Sequence, residues 1–159
     1  MVNTLELAKY ILKHSNKELS NLELQKTLYF TELDYIKKFD KHLVSDDFEA
    51  WKYGPVAREV YYEYHNYGAS SIDKPKEETL SQNLREDELE TINRSIKKCN
   101  EKSYWDLVKE SHKEDGAWHK SFKEDRKEII NKDLIKQRSK TSKWKLKKKL
   151  KKNIVKIKS

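Results

Sequence analysis

The chain has 159 residues, of which 39% are charged and 35% hydrophobic, and its formal net charge is +8 at pH 7. This length favours one domain, and only three glycines and two prolines argue against a fold of many strands, which needs more turns. No stretch approaches the roughly 20 apolar residues of a membrane span, and the N-terminus lacks the charged and apolar regions of a signal peptide.

The first two helices are the clearest elements of the sequence. Residues 4–14 repeat apolar side chains at helical spacing, with Asn3 or Thr4 as the cap. A second helix begins after Ser20, because Ser20 and Glu23 have the spacing of a capping box, in which each side chain binds the other residue's free amide. Its apolar residues predict that it runs to about residue 40; they are Leu24, Leu28, Ile36 and Phe39.

A change of period marks residues 42–53, which predict one short hairpin or an extended segment before Gly54. Gly54 allows a turn, and Pro55 suits the first position of a helix because it has no amide hydrogen. We therefore predict a third helix that begins at Pro55 and is capped by Gly68.

The remaining helices are shorter. A polar loop over residues 69–83 leads to a fourth helix over 84–100, and Ser103 with Asp106 predicts the start of a fifth that ends near His112. A short sixth helix carries Trp118 and Phe122. The sequence thus predicts an all-α domain of about six helices over residues 1–125, with a small β element before Gly54.

A Lys-rich basic extension over residues 126–159 follows this domain. Residues 136–159 hold twelve Lys and Arg and no acid, so the other 135 residues carry a net charge of −4. The extension is a solubilising tail, an arm for RNA or DNA, or a clamp on an acidic partner. The candidate nucleic-acid-binding residues are Lys143, Lys145, Lys147, Lys148, Lys149, Lys151 and Lys152. An apolar stripe around Trp144 favours a segment that folds on a partner.

Residues for catalysis or metal binding are poorly represented. His112, Glu114 and His119 are close in sequence but lack the usual spacing of zinc ligands. Cys99 follows two lysines that could lower its pKa, although a lone cysteine late in a helix is more often inert. Because one cysteine cannot form an internal disulfide, we expect a cytoplasmic protein. We predict no enzymatic activity, no metal and no cofactor.

Aromatic side chains concentrate between residues 49 and 68, around the Gly-Pro pair. They are Trp51, Tyr53, Tyr61, Tyr62, Tyr64 and Tyr67. They cannot all point inward from one helix and one turn, so the stretch is a core corner or a docking surface. We expect a structural corner first and an interface second, with Tyr62, Tyr64 and Tyr67 as candidate anchors for a bound protein.

Three stretches of this sequence resemble the Panacea domain, the SocA-like antitoxin family. They read NLELQKTLYFTELDYI, FEAWKYGPVAREVYYEYHNYG and ESHKEDGAWHKSF. The residues that carry the resemblance are Leu24, Gln25, Lys26, Leu28, Tyr29, Trp51, Tyr53, Gly54, Pro55, Val56, Tyr61, Gly68, His112 and Trp118. The pattern is specific in combination, and the lysine tail is not part of it.

The resemblance implies a mainly helical domain without enzymatic chemistry of its own. Such domains are antitoxins that bind and silence a protein toxin encoded beside them. Many of these toxins block translation, and some members hand their toxin to a protease. On this basis we predict an antitoxin that neutralises a cognate toxin by direct binding. The alternative is a nucleic-acid-binding regulatory protein that uses the basic tail.

Overall fold

A computed structural model of the chain describes residues 1–77, 80, 83–113, 116–124 and 126–137. The helices in these residues are α1 (Thr4–His14), α2 (Asn21–Phe39), α3 (Arg58–Glu63), α4 (Glu86–Asn100), α5 (Tyr104–Ser111) and α6 (Ala117–Ser121). The strands are β1 (Glu49–Trp51), β2 (Gly54–Val56) and β3 (Glu128–Ile129). A 3₁₀ turn, His65–Tyr67, follows α3, and residues 132–137 are helical. The mainly helical fold is confirmed, and the β element predicted before Gly54 is present as β1, one strand of a small three-stranded sheet.

Local capping explains why the helix starts agree with the sequence. Asn3 caps α1. Ser20 Oγ accepts from the Glu23 amide at 3.2 Å, and the Glu23 carboxylate accepts from the Ser20 amide at 3.2 Å, which completes the predicted capping box of α2. The Ser103 hydroxyl accepts from the third amide of α5. None of the helices in the described residues is long and apolar enough to cross a membrane.

Helix α2 lies at the centre of the fold and packs against α1, α3, α4, α5 and β2. Leu24, Leu28 and Tyr29 contribute to the main hydrophobic core. The helix also carries buried polar side chains, namely Asn21, Gln25, Lys26, Thr27, Thr31 and Glu32. Most buried polar groups in proteins are hydrogen-bonded, and among these six the Thr31 hydroxyl has no partner in the described part of the chain. Several of these side chains therefore fix the loops around α2.

Glu32 holds the connection between α2 and β1. One carboxylate oxygen lies 2.8 Å from Nδ1 of His42 and accepts from the Leu43 amide, and the other accepts from the Val44 amide at 2.9 Å. The same connection meets the N-terminus, where the Val2 amide donates to the Leu43 carbonyl at 2.7 Å. Residues 42–48 are thus positioned without regular structure.

The prediction of a third helix from Pro55 is wrong. Pro55 lies in β2, opposite Ala50 of β1, and the sheet order β2-β1-β3 makes β2 an edge strand. An edge strand tolerates a residue without an amide hydrogen, so proline suits this position as well as a helix start. Helix α3 begins at Arg58, and Gly68 caps the 3₁₀ turn with φ +58°.

Residues 126–137 pack against the rest of the molecule. Strand β3 pairs antiparallel with β1, and the Ile130 amide donates to the Phe48 carbonyl at 2.7 Å. Ile130 and Ile135 are buried in the main core. The division into a body and a basic extension stays a prediction, and residues 138–159 lie outside the described part of the chain.

Candidate functional site

The aromatic stretch forms a corner made of β1, β2 and the first turn of α3. Its inner side is attached to α2 by Gln25, which accepts from the Ala57 amide at 2.8 Å and donates to Asn21. Asn21 in turn donates to the Tyr61 carbonyl at 2.9 Å. Ala57 is the N-cap of α3 and offers no capping side chain. Gln25 therefore fixes the start of this helix by binding its capping residue.

Lys26 is the second attachment of the corner. Its ammonium donates to the Pro55 carbonyl at 3.1 Å, and the residue has no exposed surface. Within the described part of the chain, no carboxylate lies within salt-bridge distance of it. Burial without a counter-charge disfavours the charged form, and it lowers the pKa of Lys26 to about 7.

Gly54 makes room for this lysine. Its φ is +119°, which side chains rarely tolerate, and an added Cβ would lie 2.6 Å from Cε of Lys26 and 2.7 Å from Oγ of Ser111. The predicted need for glycine at this turn is confirmed. The structure adds a second reason, which is the close approach of the lysine.

His112 and Trp118 close the corner from the α5–α6 side. Their rings stack with centroids 3.7 Å apart, and the Trp118 indole donates to the Trp51 carbonyl at 2.7 Å. Burial lowers the pKa of His112, helped by the charges of Lys26 and His119. Nε2 of His112 is buried without a hydrogen-bond partner among the described groups. The prediction that His112 ends a helix is confirmed, since it is the C-cap of α5.

The outer side of the corner is aromatic and partly exposed. Trp51 contacts Tyr61 with ring centroids 4.7 Å apart, and the Lys127 ammonium lies 4.0 Å from the Trp51 ring centroid, within cation–π range. The Trp51 indole donates to Glu49 at 2.8 Å, and Glu49 is paired with Arg58 at 3.7 Å. These contacts hold Trp51 in a fixed orientation at the surface.

The three candidate anchors differ in exposure. Tyr62 is 45% exposed, with the Arg58 guanidinium 5.6 Å from its ring centroid. Tyr64 and Tyr67 are half-buried and pack against the core, and burial raises the pKa of Tyr64 to about 12. Tyr53, in the turn between β1 and β2, is also exposed. Tyr62 is thus the most accessible of the three predicted anchors.

Sequence reasoning missed two exposed hydrophobic side chains, Trp105 at 66% exposure and Ile129 at 60%. Trp105 could have been found, because on α5 it lies on the opposite side from the buried Leu107. Ile129 had no such signal, since its exposure depends on the pairing of β3 with β1.

The remaining candidates from the sequence are a reactive cysteine, a metal site and the lysines of the tail. Cys99 is buried, and burial raises the pKa of its thiol to about 12, so the two neighbouring lysines do not activate it. In the described ranges, no group of three or more His, Cys, Asp or Glu side chains is placed to hold a metal ion. The tail residues from Lys143 to Lys152 lie outside these ranges.

The three sequence stretches that carry the family pattern thus meet at one place. Gln25 and Lys26 come from α2, Gly54 and Pro55 come from β2, and the stacked His112 and Trp118 come from the end of α5 and from α6. The model of the family described as "Antitoxin SocA-like, Panacea domain" matches residues 24–119, more than half of the chain. The chain belongs to this family.

A curated relative is similar over a shorter range. It is the "Antitoxin SocA" of Caulobacter vibrioides (strain NA1000 / CB15N), which is 49% identical over 43 residues. That stretch covers 27% of this chain and 23% of the relative, so this chain matches about a quarter of the relative's length. No solved structure matches this chain.

Proposed function

We propose that this protein is an antitoxin that neutralises its toxin by direct protein binding, without enzymatic chemistry. Membership of the Antitoxin SocA-like, Panacea domain family supports the antitoxin role, as does the name of the relative from Caulobacter vibrioides. A toxin that blocks translation and a later transfer of the complex to a protease are further parts of the proposal. They rest on the family resemblance alone.

The observation that supports direct binding is that the two sides of the corner have different roles. Its inner side uses Gln25, Lys26 and Gly54 to hold the fold together. Its outer side leaves Tyr62 exposed and Trp51 partly exposed, and the Tyr61 ring lies between them in contact with both. Exposed Tyr and Trp on a rigid support are preferred anchors of protein interfaces, because they bury a large area at small entropic cost.

Tyr62, Tyr64 and Tyr67 therefore stay the candidate toxin-binding residues. A standard interface buries roughly 1,600 Å² in total and is dominated by a few such anchors. Tyr62 is exposed and can contact a partner without rearrangement, whereas Tyr64 and Tyr67 are only partly accessible. We expect Tyr62→Ala to weaken binding more than Tyr64→Ala does, once both variants are shown to be folded.

Co-expression with the neighbouring reading frame tests the proposal. The toxin gene should stop growth alone, and this protein should restore growth and co-purify with the toxin at fixed stoichiometry. A matched culture carrying a stop codon early in the antitoxin gene controls for plasmid effects. Rescue without co-purification would contradict direct binding and favour transcriptional control or an enzymatic antidote.

The charge of the tail supports a second candidate function. Twelve cations without an acid over residues 136–159 suit the phosphate backbone of RNA or DNA. A nucleic-acid-binding regulatory protein is therefore the alternative.

A further inference from the structure

One side of the small sheet is partly exposed next to the aromatic corner, because Ile129 is 60% exposed there, whereas Glu49 and Val56 on the same side are buried. Glu49 and Trp51 lie on the same side of β1, since side chains alternate along a strand, and their side chains are hydrogen-bonded. Ile129 is the cross-strand partner of Glu49, and Lys127 covers the Trp51 ring. We call these four residues, with Tyr62 beside them, the outer sheet face.

One end of the outer sheet face is acidic. A groove of about 400 Å³ lies there, and its lining residues are Asp46, Asp47, Glu49, Arg58, Glu59, Tyr62 and Ile129. Ile129 and Tyr62 supply two exposed hydrophobic side chains. Arg58 is already paired with Glu49, so the charge left for a partner belongs to Asp46, Asp47 and Glu59.

The other end is cationic. A second groove of about 410 Å³ is lined by Trp51, Lys52, Phe122, Glu124, Arg126 and Lys127. Three cations outnumber one acid among these lining residues, and Trp51 and Phe122 are its aromatic members. Arg126 is paired with Glu128 at 3.7 Å, but both side chains are exposed, and an exposed ion pair is weak enough for a partner's carboxylate to replace it. Opposite charges therefore flank the exposed hydrophobic side chains of one surface.

We propose that the outer sheet face binds the toxin in one orientation, with an acidic cluster of the toxin on Arg126 and Lys127 and a basic cluster on Asp46 and Asp47. An apolar side chain of the toxin would then pack over Ile129. The inference rests on the proposed function and adds the chemistry of the partner's surface. Complementary charges fix register and exclude wrong partners, because like charges in contact are repelled.

This arrangement favours a protein over a nucleic acid. A polyanion would be attracted by Arg126 and Lys127 but repelled by Asp46, Asp47 and Glu59 at the other end. A protein surface with both signs of charge satisfies both grooves. Trp105, the most exposed aromatic residue on α5, provides a competing surface that the same experiment can examine.

The cationic end is tested by Arg126→Glu/Lys127→Glu in the full chain. Affinity for the purified product of the neighbouring reading frame is measured by calorimetry at low and high salt. We expect the dissociation constant to rise at least tenfold at low salt and by less at high salt, because salt screens exposed charges. The control Lys97→Glu/Lys109→Glu makes the same charge change at exposed positions of α4 and α5 and should change affinity by less than about threefold.

The acidic end is tested by Asp46→Lys/Asp47→Lys. The backbone of Asp46 accepts from Lys132 and donates to Thr4, so a new side chain keeps these contacts. We expect at least a tenfold loss of toxin affinity. The control Glu90→Lys/Glu101→Lys places the same charges at exposed positions of α4 and its C-cap and should leave toxin affinity within about threefold.

The outcomes separate the two proposals. If the unchanged protein does not bind the toxin, the proposed function itself fails. If it binds and both pairs of reversals behave as their controls do, the outer sheet face is not the interface. A loss on Trp105→Ala without a loss on Ile129→Ala would place the interface on α5 and overturn the inference. Tighter binding after Asp46→Lys/Asp47→Lys would mean that the toxin surface at this end is acidic and not basic, which also overturns the inference.

Discussion

The ammonium of Lys26 donates to the carbonyl of Pro55 at 3.1 Å from a position without exposed surface, in space that a side chain at Gly54 would occupy. The lysine thus joins the central helix to β2, the strand that contains the Gly-Pro pair. Its burial lowers its pKa to about 7, so the stability of this corner depends on pH near neutrality.

The first prediction concerns that pH dependence. The folded pKa of Lys26 is below the ordinary 10.5 of the unfolded chain, so the unfolded state binds more protons between these values and stability rises with pH there. Lys26→Met removes this contribution. The unfolding free energy of the natural protein minus that of the variant should rise by about 2 kcal/mol between pH 7 and pH 9.

Urea unfolding at several pH values measures this difference. Lys97→Met, which changes an exposed lysine of α4, is the control and should give a difference independent of pH. A flat difference for Lys26→Met would mean that the lysine keeps its proton in the folded state over the whole range.

The second prediction separates two roles of glycine. Gly54→Ala and Gly68→Ala both place a side chain at positive φ, but only the Cβ at residue 54 meets neighbouring atoms within 4 Å. We expect Gly54→Ala to lose at least about 1 kcal/mol more than Gly68→Ala, because backbone strain is joined by steric overlap. Thermal and urea melts measure both losses. Equal losses would show that Lys26 and Ser111 move aside freely.

The third prediction concerns the pKa of His112, whose ring stacks on Trp118. Burial and the Lys26 charge lower the pKa of His112, so its NMR titration midpoint should lie below the ordinary 6.5. Because the folded state disfavours the imidazolium, this residue's contribution to stability falls as pH drops from 6.5 through the folded pKa. Lys26→Met should raise the midpoint, because it removes the neighbouring positive charge. An unchanged His112 midpoint would contradict the coupling.

Helix positions could be predicted because their signals are local. The caps at Ser20 and Ser103 act over three residues, and helical spacing marks the buried side of each helix. The position of Pro55 could not be decided in this way, since the first turn of a helix and an edge strand both accept a residue without an amide hydrogen. Strand β3 is two residues long and depends on pairing with a distant part of the chain.

The location of the site could be predicted from the sequence, but the contacts within it could not. The Gly-Pro pair and the surrounding aromatics indicated a corner. The burial of Lys26 ran against the usual exposure of lysine, and only the arrangement of β2 against α2 explains it. Similarly, Lys127 reaches Trp51 because β3 lies beside β1, which no spacing in the sequence indicates.

The last prediction concerns the basic tail. A chain ending at residue 135 would lose the ion pair of Lys136 with Asp40 and would end at the buried Ile135. A chain ending at residue 137 keeps every described residue and is the better test. The full chain should bind RNA or DNA weakly and without sequence preference, with log K falling by about 0.9 per phosphate neutralised for each unit of log salt. The shortened chain should show no such binding and the same melting temperature.

The toxin affinity of the shortened chain should fall only if the tail itself contacts the toxin through the apolar stripe around Trp144. That loss would persist at high salt, because apolar contacts are not screened. Tight, sequence-specific DNA binding that survives the truncation would reject an electrostatic arm and favour the regulatory function.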